Sequence, residues 1–259
     1  MNLRKSNVLK KLRDGGVVSC IKVNTQDPRV VEMAACCGFD CVWTDMEHVG
    51  NSYSGVESQI LAAKAHNADI LVRVPRGSYS DHVRPLELDA TGIMVPHVMN
   101  LEDAKRVVWM TRFYPQGRRA LDGGNADGSY CLVDTKDYTA QANRERFVMI
   151  QIEDPEAMDD LDAICALEGI DIVFFGPGDF SQGLGDIHNF SNPALVEARR
   201  LVAKTAIKHG KYAGTVGSSA NLKELYDLGY RFINAGSDVR ALANYFNEAA
   251  AAFGKLGKI

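Results

Sequence analysis

The sequence predicts a parallel (β/α)8 barrel, and three observations predict it. The chain has 259 residues, the size of one such barrel, which takes about 250. Eight strand-like apolar runs alternate with eight amphipathic stretches, the pattern of β-then-α units wound into a parallel sheet. No Gly-x-Gly-x-x-Gly follows the first run, which removes the main signature of the rival doubly wound open sheet. Residues 1–259 therefore read as a single barrel domain.

The strand-like runs lie at residues 17–23, 39–44, 70–74, 92–98, 147–152, 170–175, 212–216 and 231–234. Between and after them come 28–37, 55–66, 81–88, 101–112, 156–167, 193–209, 220–228 and 239–253. In these, apolar residues recur at helical spacing, as in Leu161, Ile164, Cys165 and Leu167. Asn100 and Asn192 can cap helix starts, and Gly169, Gly210 and Gly229 follow helix ends. One long irregular stretch, 114–146, is rich in Gly, Asp, Asn and Ser. Loops of that length usually carry function or subunit contacts.

Composition excludes several functions. A net charge of -4 speaks against nucleic-acid binding, and 46% hydrophobic content is ordinary for a globular protein. No run of 18 apolar residues suggests a membrane span, and the polar, basic start lacks the apolar core of a signal peptide. The six cysteines, Cys20, Cys36, Cys37, Cys41, Cys131 and Cys165, show no Cys-x-x-Cys pair and read as buried, reduced thiols. A cytoplasmic protein is expected.

In barrels of this kind the chemistry sits where the strands end. That rim carries Lys22, the run Asp45-Met46-Glu47-His48, Arg73, His97, Gln151 and Glu153, Gly178, Asp179 and Ser181, and Thr215. Glu153 and Asp179 close two neighbouring strand-like runs, and two hard oxygen ligands are what a Mg²⁺ or Mn²⁺ site needs, with Co²⁺ as a substitute. Such an ion polarises a 2-oxo acid and acidifies its C3 hydrogen. Arg73 would supply fixed positive charge where the enolate oxygen develops. His48, three residues after Asp45, is placed for Asp45 to orient its ring as a general base. Backbone N–H groups around Gly178 and Asp179 can hold the substrate carboxylate. Ser181 can touch substrate or cap a helix. His66, His82, His188 and His209 read as surface or capping histidines, and Trp43 and Trp109 as packing residues.

Together these segments resemble the HpcH/HpaI aldolase family of metal-dependent pyruvate aldolases. The pieces are Gly38-Phe39-Asp40, Asp45-Met46-Glu47-His48, Val72-Arg73-Val74-Pro75, Gly92-Ile93-Met94-Val95-Pro96, Tyr114-Pro115, Gln151-Ile152-Glu153, Gly176-Pro177-Gly178-Asp179-Phe180-Ser181 and Ala235-Gly236-Ser237-Asp238. The resemblance implies Glu153 and Asp179 as metal ligands, His48 with Asp45 as base dyad, Arg73 as the enolate-stabilising arginine, and Gln151 beside metal and pyruvate. It also implies a last helix exchanged between subunits and a homo-hexamer built as a trimer of dimers. The implied reaction is reversible cleavage of a 4-hydroxy-2-oxo acid, of the 2-keto-3-deoxy sugar acid type, to pyruvate and an aldehyde.

The chain also departs from that family. Lys22 stands where many members carry a large aromatic residue. It either selects an aldehyde bearing a carboxylate or hydroxyls, or pairs with Glu47 or a neighbouring carboxylate. Glu87 or Asp89 takes the place of an acidic residue on the aldehyde side, depending on register. Ala120 replaces a glycine in the segment 115–120, so loop 121–130 can make contacts of its own. Two other readings remain: the same enolate chemistry turned to citrate-synthase-like, CoA-ester lyase or 2-oxo acid decarboxylase activity, with CoA use weakly favoured by the Arg118-Arg119 pair, and a silent 2-oxo acid sensor.

Overall fold

The computed structural model describes residues 2–255. Eight parallel strands close into a barrel, each hydrogen-bonded to the next and the last to the first. They are β1 Val18–Val23, β2 Cys41–Asp45, β3 Asp69–Arg73, β4 Gly92–Val95, β5 Phe147–Ile152, β6 Ile172–Phe175, β7 Tyr212–Val216 and β8 Tyr230–Ser237. The helices begin with α1 Asn7–Arg13, α2 Pro28–Cys36, α3 Tyr53–Ala65, α4 Tyr79–Glu87, α5 Leu101–Thr111 and α6 Thr135–Glu145. They continue with α7 Leu161–Ala166, α8 Pro177–Gly183, α9 Pro193–Lys208, α10 Leu222–Asp227 and α11 Asp238–Gly254. The (β/α)8 barrel expected from the sequence is therefore present. No described helix is long and apolar enough to cross a membrane.

Side chains alternate across each strand. On β5, Val148, Ile150 and Ile152 face the helices, while Phe147 and Met149 point into the barrel. The same alternation sends Cys20, Trp43, Leu71, Ile172, Phe174 and Phe232 inward, and these residues fill the barrel as a packed core. One step of two residues further along, five strands replace apolar with polar residues: Lys22, Asp45, Arg73, Gln151 and Asn234. The polar crown that lines the mouth is thus the top layer of the same period-two pattern that builds the core.

The differences from the sequence reading have physical reasons. β4 stops at Val95, short of residue 98, because Pro96 has no N–H to give the ladder and His97 takes a left-handed φ of 51°. The stretch 156–167 divides into a 3-10 turn, Pro155–Met158, and the short α7. α1 escaped the sequence reading; Val8, Leu9 and Leu12 pack with Val18, Leu71 and Phe147 to plug the far end of the barrel. α6 lies inside the stretch read as irregular. It is capped by Asp134 and buries Tyr138 and Ala142 against Leu3, Phe113 and Val133. The caps assigned to Asn100 and Asn192 are formed, through hydrogen bonds from the N–H groups of Asp103 and Ala194.

Not every packing expectation holds. Trp109 is 53% exposed, and His82 is buried on α4, with Nδ1 2.9 Å from the Ser78 carbonyl oxygen. Cys36, Cys37 and Cys131 are exposed, whereas Cys20, Cys41 and Cys165 are buried; all six are free thiols.

Candidate active site

Above the apolar layers the mouth opens into a cavity of about 430 Å³. Lys22, Trp43, Arg73, Gln151, Gly178, Asp179, Asn234 and Arg240 line it. The strand register explains the first cluster. Asp45 is the direct partner of Arg73 on the adjacent strand, and Lys22 lies beside Trp43 on β1. Arg73 Nε donates to Asp45 Oδ1 at 3.0 Å, Lys22 Nζ is 2.7 Å from Asp45 Oδ2, and Arg73 Nη1 is 3.0 Å from Glu47 Oε2. Burial alone would raise the Asp45 carboxyl, but the two cations prevail and hold it well below the usual carboxylate range. Both cations also lie over the Trp43 ring, with Lys22 Nζ 5.1 Å and the Arg73 guanidinium carbon 5.0 Å from its centre.

This arrangement corrects the proposed base dyad. Asp45 accepts the backbone N–H of His48 at 3.4 Å, but its carboxylate is committed to Arg73 and Lys22 and does not hold the imidazole. The carboxylate beside the His48 ring is Glu47, 3.5 Å away, and the His48 side chain is 58% exposed at the rim, outside the cavity lining. Cations on the flanking strands reach Asp45 at closer range than the ring three residues downstream. Lys22 meets the second of its two expectations, pairing with a neighbouring carboxylate.

The second cluster surrounds Glu153, which is 1% exposed. Its Oε1 accepts the His97 backbone N–H at 3.0 Å, and its Oε2 accepts from the Gln151 amide. The left-handed turn at His97 aims that N–H inward, while the ring's Nδ1 lies 3.0 Å from Asp154. Burial resists protonation of His97, yet the Glu153, Asp154 and Glu47 carboxylates raise its pKa above the ordinary value. Glu153 itself is pushed up to about 7, mainly by burial and further by nearby Asp179, despite the opposing pull of His97 and Arg73. A buried carboxylate in such repulsion with another is a place where a cation is favoured.

The donor set suits a hard divalent cation on independent grounds. Glu153 and Asp179 offer carboxylate oxygens, and the buried Gln151 Oε1 has no hydrogen-bond partner among the described residues. Gly176 lets the chain pass close: an added Cβ there would lie 2.7 Å from Glu153 Oε2 and 2.8 Å from Gln151 Nε2. Among the described residues no three His, Cys, Asp or Glu gather into a full cage. The set is therefore an open, two-carboxylate one with positions left for water and substrate.

Four expected contacts lie elsewhere. Thr215 is fully buried and donates to the Phe175 carbonyl oxygen at 3.0 Å, so its hydroxyl ties β7 to β6 and does not face the cavity. Ser181 is likewise buried; it donates to the Gly178 carbonyl oxygen at 2.6 Å and accepts the His188 N–H, holding α8 and its following turn. Glu87 is half-buried at the end of α4 among the charges of Arg119, Asp127 and Asp122, outside the cavity lining, and burial raises its carboxyl. Asp89 precedes β4 at the far end of the barrel and pairs with Lys64 and Arg146. Arg119 is buried on Asp127 and Arg118 lies over Tyr114, so the pair offers no open basic patch. Asn234 and Arg240, which line the cavity, were missed. The step of two from inward Phe232 could have pointed to Asn234.

A family model described as HpcH/HpaI aldolase/citrate lyase matches residues 20–244. A 5-keto-4-deoxy-D-glucarate aldolase of Klebsiella pneumoniae is 31% identical over 230 residues, spanning 88% of this chain and 89% of its own. The structure of an HpcH/HpaI aldolase from Desulfitobacterium hafniense superposes with a TM-score of 0.89 at 28% identity, over 95% of each chain. That of the citrate synthase SbnG superposes with a TM-score of 0.88 at 27% identity, over 97% of this chain and 98% of its own. The chain belongs to the HpcH/HpaI aldolase/citrate lyase family.

Proposed function

We propose that the chain is a divalent-metal-dependent aldolase that reversibly cleaves a 4-hydroxy-2-oxo acid of the 2-keto-3-deoxy sugar acid type to pyruvate and an aldehyde. The observation that carries this reading is one cavity whose wall holds Arg73, Gln151 and Asp179, with the buried Glu153 carboxylate close enough to feel both the Arg73 and the Asp179 charge. The curated relatives act on an acid of this type by name.

Glu153 and Asp179 would hold the ion, Mg²⁺ or Mn²⁺ by their oxygen chemistry. When bound it supplies Lewis-acid polarisation of a 2-oxo acid. The chain's own groups supply the rest. Arg73, buried and fixed by Asp45 and Glu47, presents a preorganised positive charge where the pyruvate enolate oxygen develops. At Gly178 an added Cβ would meet no protein atom, so glycine leaves the space above α8 to the substrate carboxylate and to the N–H groups at the helix start. His48 takes the proton of the C4 hydroxyl as the C3–C4 bond breaks. The bond electrons pass to the C2 oxygen as the enolate forms, and return of the proton from His48 to C3 then yields pyruvate and the neutral imidazole. The carboxylate that orients His48 in this scheme is Glu47.

Incubating the protein with Mn²⁺ and a 2-keto-3-deoxy aldarate and following pyruvate release tests the reading directly. Metal-dependent release is expected, and no release from any 4-hydroxy-2-oxo acid would overturn it. The likeness to a citrate synthase favours one second reading, in which the same enolate adds to a keto acid in place of an aldehyde.

We also infer that the protein assembles through α11. This helix buries none of its residues against the other described residues, and Val239, Leu242, Tyr245, Phe246 and Phe253 are all exposed. Exposed apolar area of this extent marks a contact surface. An exchanged helix in a hexamer would cover it. A hexameric solution mass by light scattering is the expected result, and a stable monomer would contradict it.

A further inference from the structure

The acceptor side of the cavity carries an unused cation and an unused acceptor atom. Of the cations on its wall, Lys22 and Arg73 are committed to Asp45 and Glu47. Arg240, exposed in the first turn of α11, lines the same cavity and has no carboxylate partner among the described residues. Its position is held firmly. Asp238, two residues earlier, accepts the backbone N–H groups of Asn24 at 2.8 Å and Thr25 at 3.0 Å, which pins the start of α11 to the end of β1. Below it on β8, Asn234 is 4% exposed, and its Oδ1 has no hydrogen-bond partner among the described residues, while its Nδ2 donates to the Gly236 carbonyl oxygen at 3.2 Å. A buried, unpaired acceptor is costly unless something donates to it.

We propose that Arg240 and Asn234 form the acceptor subsite, in which Arg240 binds a carboxylate on the aldehyde fragment and Asn234 Oδ1 accepts a hydroxyl hydrogen from it. The preferred substrates are then diacids, with a carboxylate at each end of the cleaved chain. The metal and Arg73 side takes the 2-oxo acid half, and the β8–α11 side takes the other. This rests on the reading of the cavity as a pyruvate aldolase site. A planar guanidinium suits this task, since it can grip a carboxylate through two parallel N–H groups.

The test uses the full chain with Mn²⁺ and pyruvate, and two aldehydes that differ in one group. They are 2-hydroxy-3-oxopropanoate and glyceraldehyde, in which a CH₂OH replaces the carboxylate. Arg240→Gln should raise the KM for the carboxylated aldehyde about tenfold or more, the scale of a lost charge-assisted hydrogen bond. Its KM for glyceraldehyde should move less than about twofold, and Arg240→Lys should recover part of the loss, since it keeps the charge without the fork. Asn234→Ala should raise the KM for both aldehydes, because both carry the 2-hydroxyl. Equal changes for the two aldehydes in Arg240→Gln, or no change in either, would overturn the subsite. If the unsubstituted protein exchanges no C3 protons of pyruvate with any divalent metal, the aldolase reading and the subsite fall together. Exchange with no discrimination between the aldehydes would overturn the subsite alone.

Discussion

Asp179→Asn is expected to lower metal-dependent turnover by about a thousandfold or more while the barrel stays folded. Asp179 is half-buried in the first turn of α8, where its carboxylate forms no ion pair among the described residues and raises the pKa of Glu153. Replacing it takes away one of two carboxylate donors and leaves the packing of α8, which rests on Phe180, in place. The metal-free variant should be no less stable than the parent, because the repulsion with Glu153 is gone; replacing one surface-side polar group typically moves stability by only about 0.5 kcal/mol. Two measurements check this: a Mn²⁺ titration of pyruvate C3 exchange, and urea unfolding of the metal-free proteins. Full exchange at saturating Mn²⁺ would remove Asp179 from the ligand set.

Arg73→Lys should cost the reaction about a hundredfold or more in kcat while leaving most of the stability. The loss of one fixed donor to a developing oxyanion typically costs about 10²–10³ in rate. Lysine keeps the positive charge between Asp45 and Glu47, so neither carboxylate is left buried without a counter-charge. It loses the fork through which Arg73 grips Asp45 by Nε and Nη2. Arg73→Met should behave differently. It removes one of the two cations on the fully buried Asp45 and leaves only Lys22 beside it; breaking a buried pair outright typically costs about 3–5 kcal/mol, which is the upper bound here. A lysine variant with unchanged kcat would show that Arg73 serves the fold through Asp45 and does not face the reacting oxygen.

The barrel was legible because its two periods are clean. Strand residues alternate, helical apolar residues recur at three and four, and the polar crown sits one step of two above the core. Lys22, Arg73 and Gln151 were found as polar residues at the strand ends, and in the structure each lies two residues beyond an inward core residue, Cys20, Leu71 or Met149. Partnership was less legible than position. Asp45 and His48 are neighbours in sequence, but β2 and β3 place Asp45 opposite Arg73, and β1 brings Lys22 against it. Which carboxylate meets which cation depends on strand register, which no local pattern encodes.

Thr215 and Ser181 illustrate the same limit. Both lie at strand or helix ends near the mouth, yet each hydroxyl is already used on a backbone carbonyl. α6 was hidden for a different reason: its sequence is mostly polar, and only Tyr138 and Ala142 carry its apolar spacing. Arg240 stood beyond the last strand, in a helix whose apolar face has no partner among the described residues, so nothing in its local pattern tied it to the cavity.

Proton exchange at C3 of pyruvate in D₂O, followed by NMR, tests the enolate chemistry of this cavity without any assumption about the aldehyde. Exchange that requires Mg²⁺ or Mn²⁺, stops with EDTA and returns when the metal is restored is the expected result. No exchange with any divalent metal, in protein that remains folded, would contradict it.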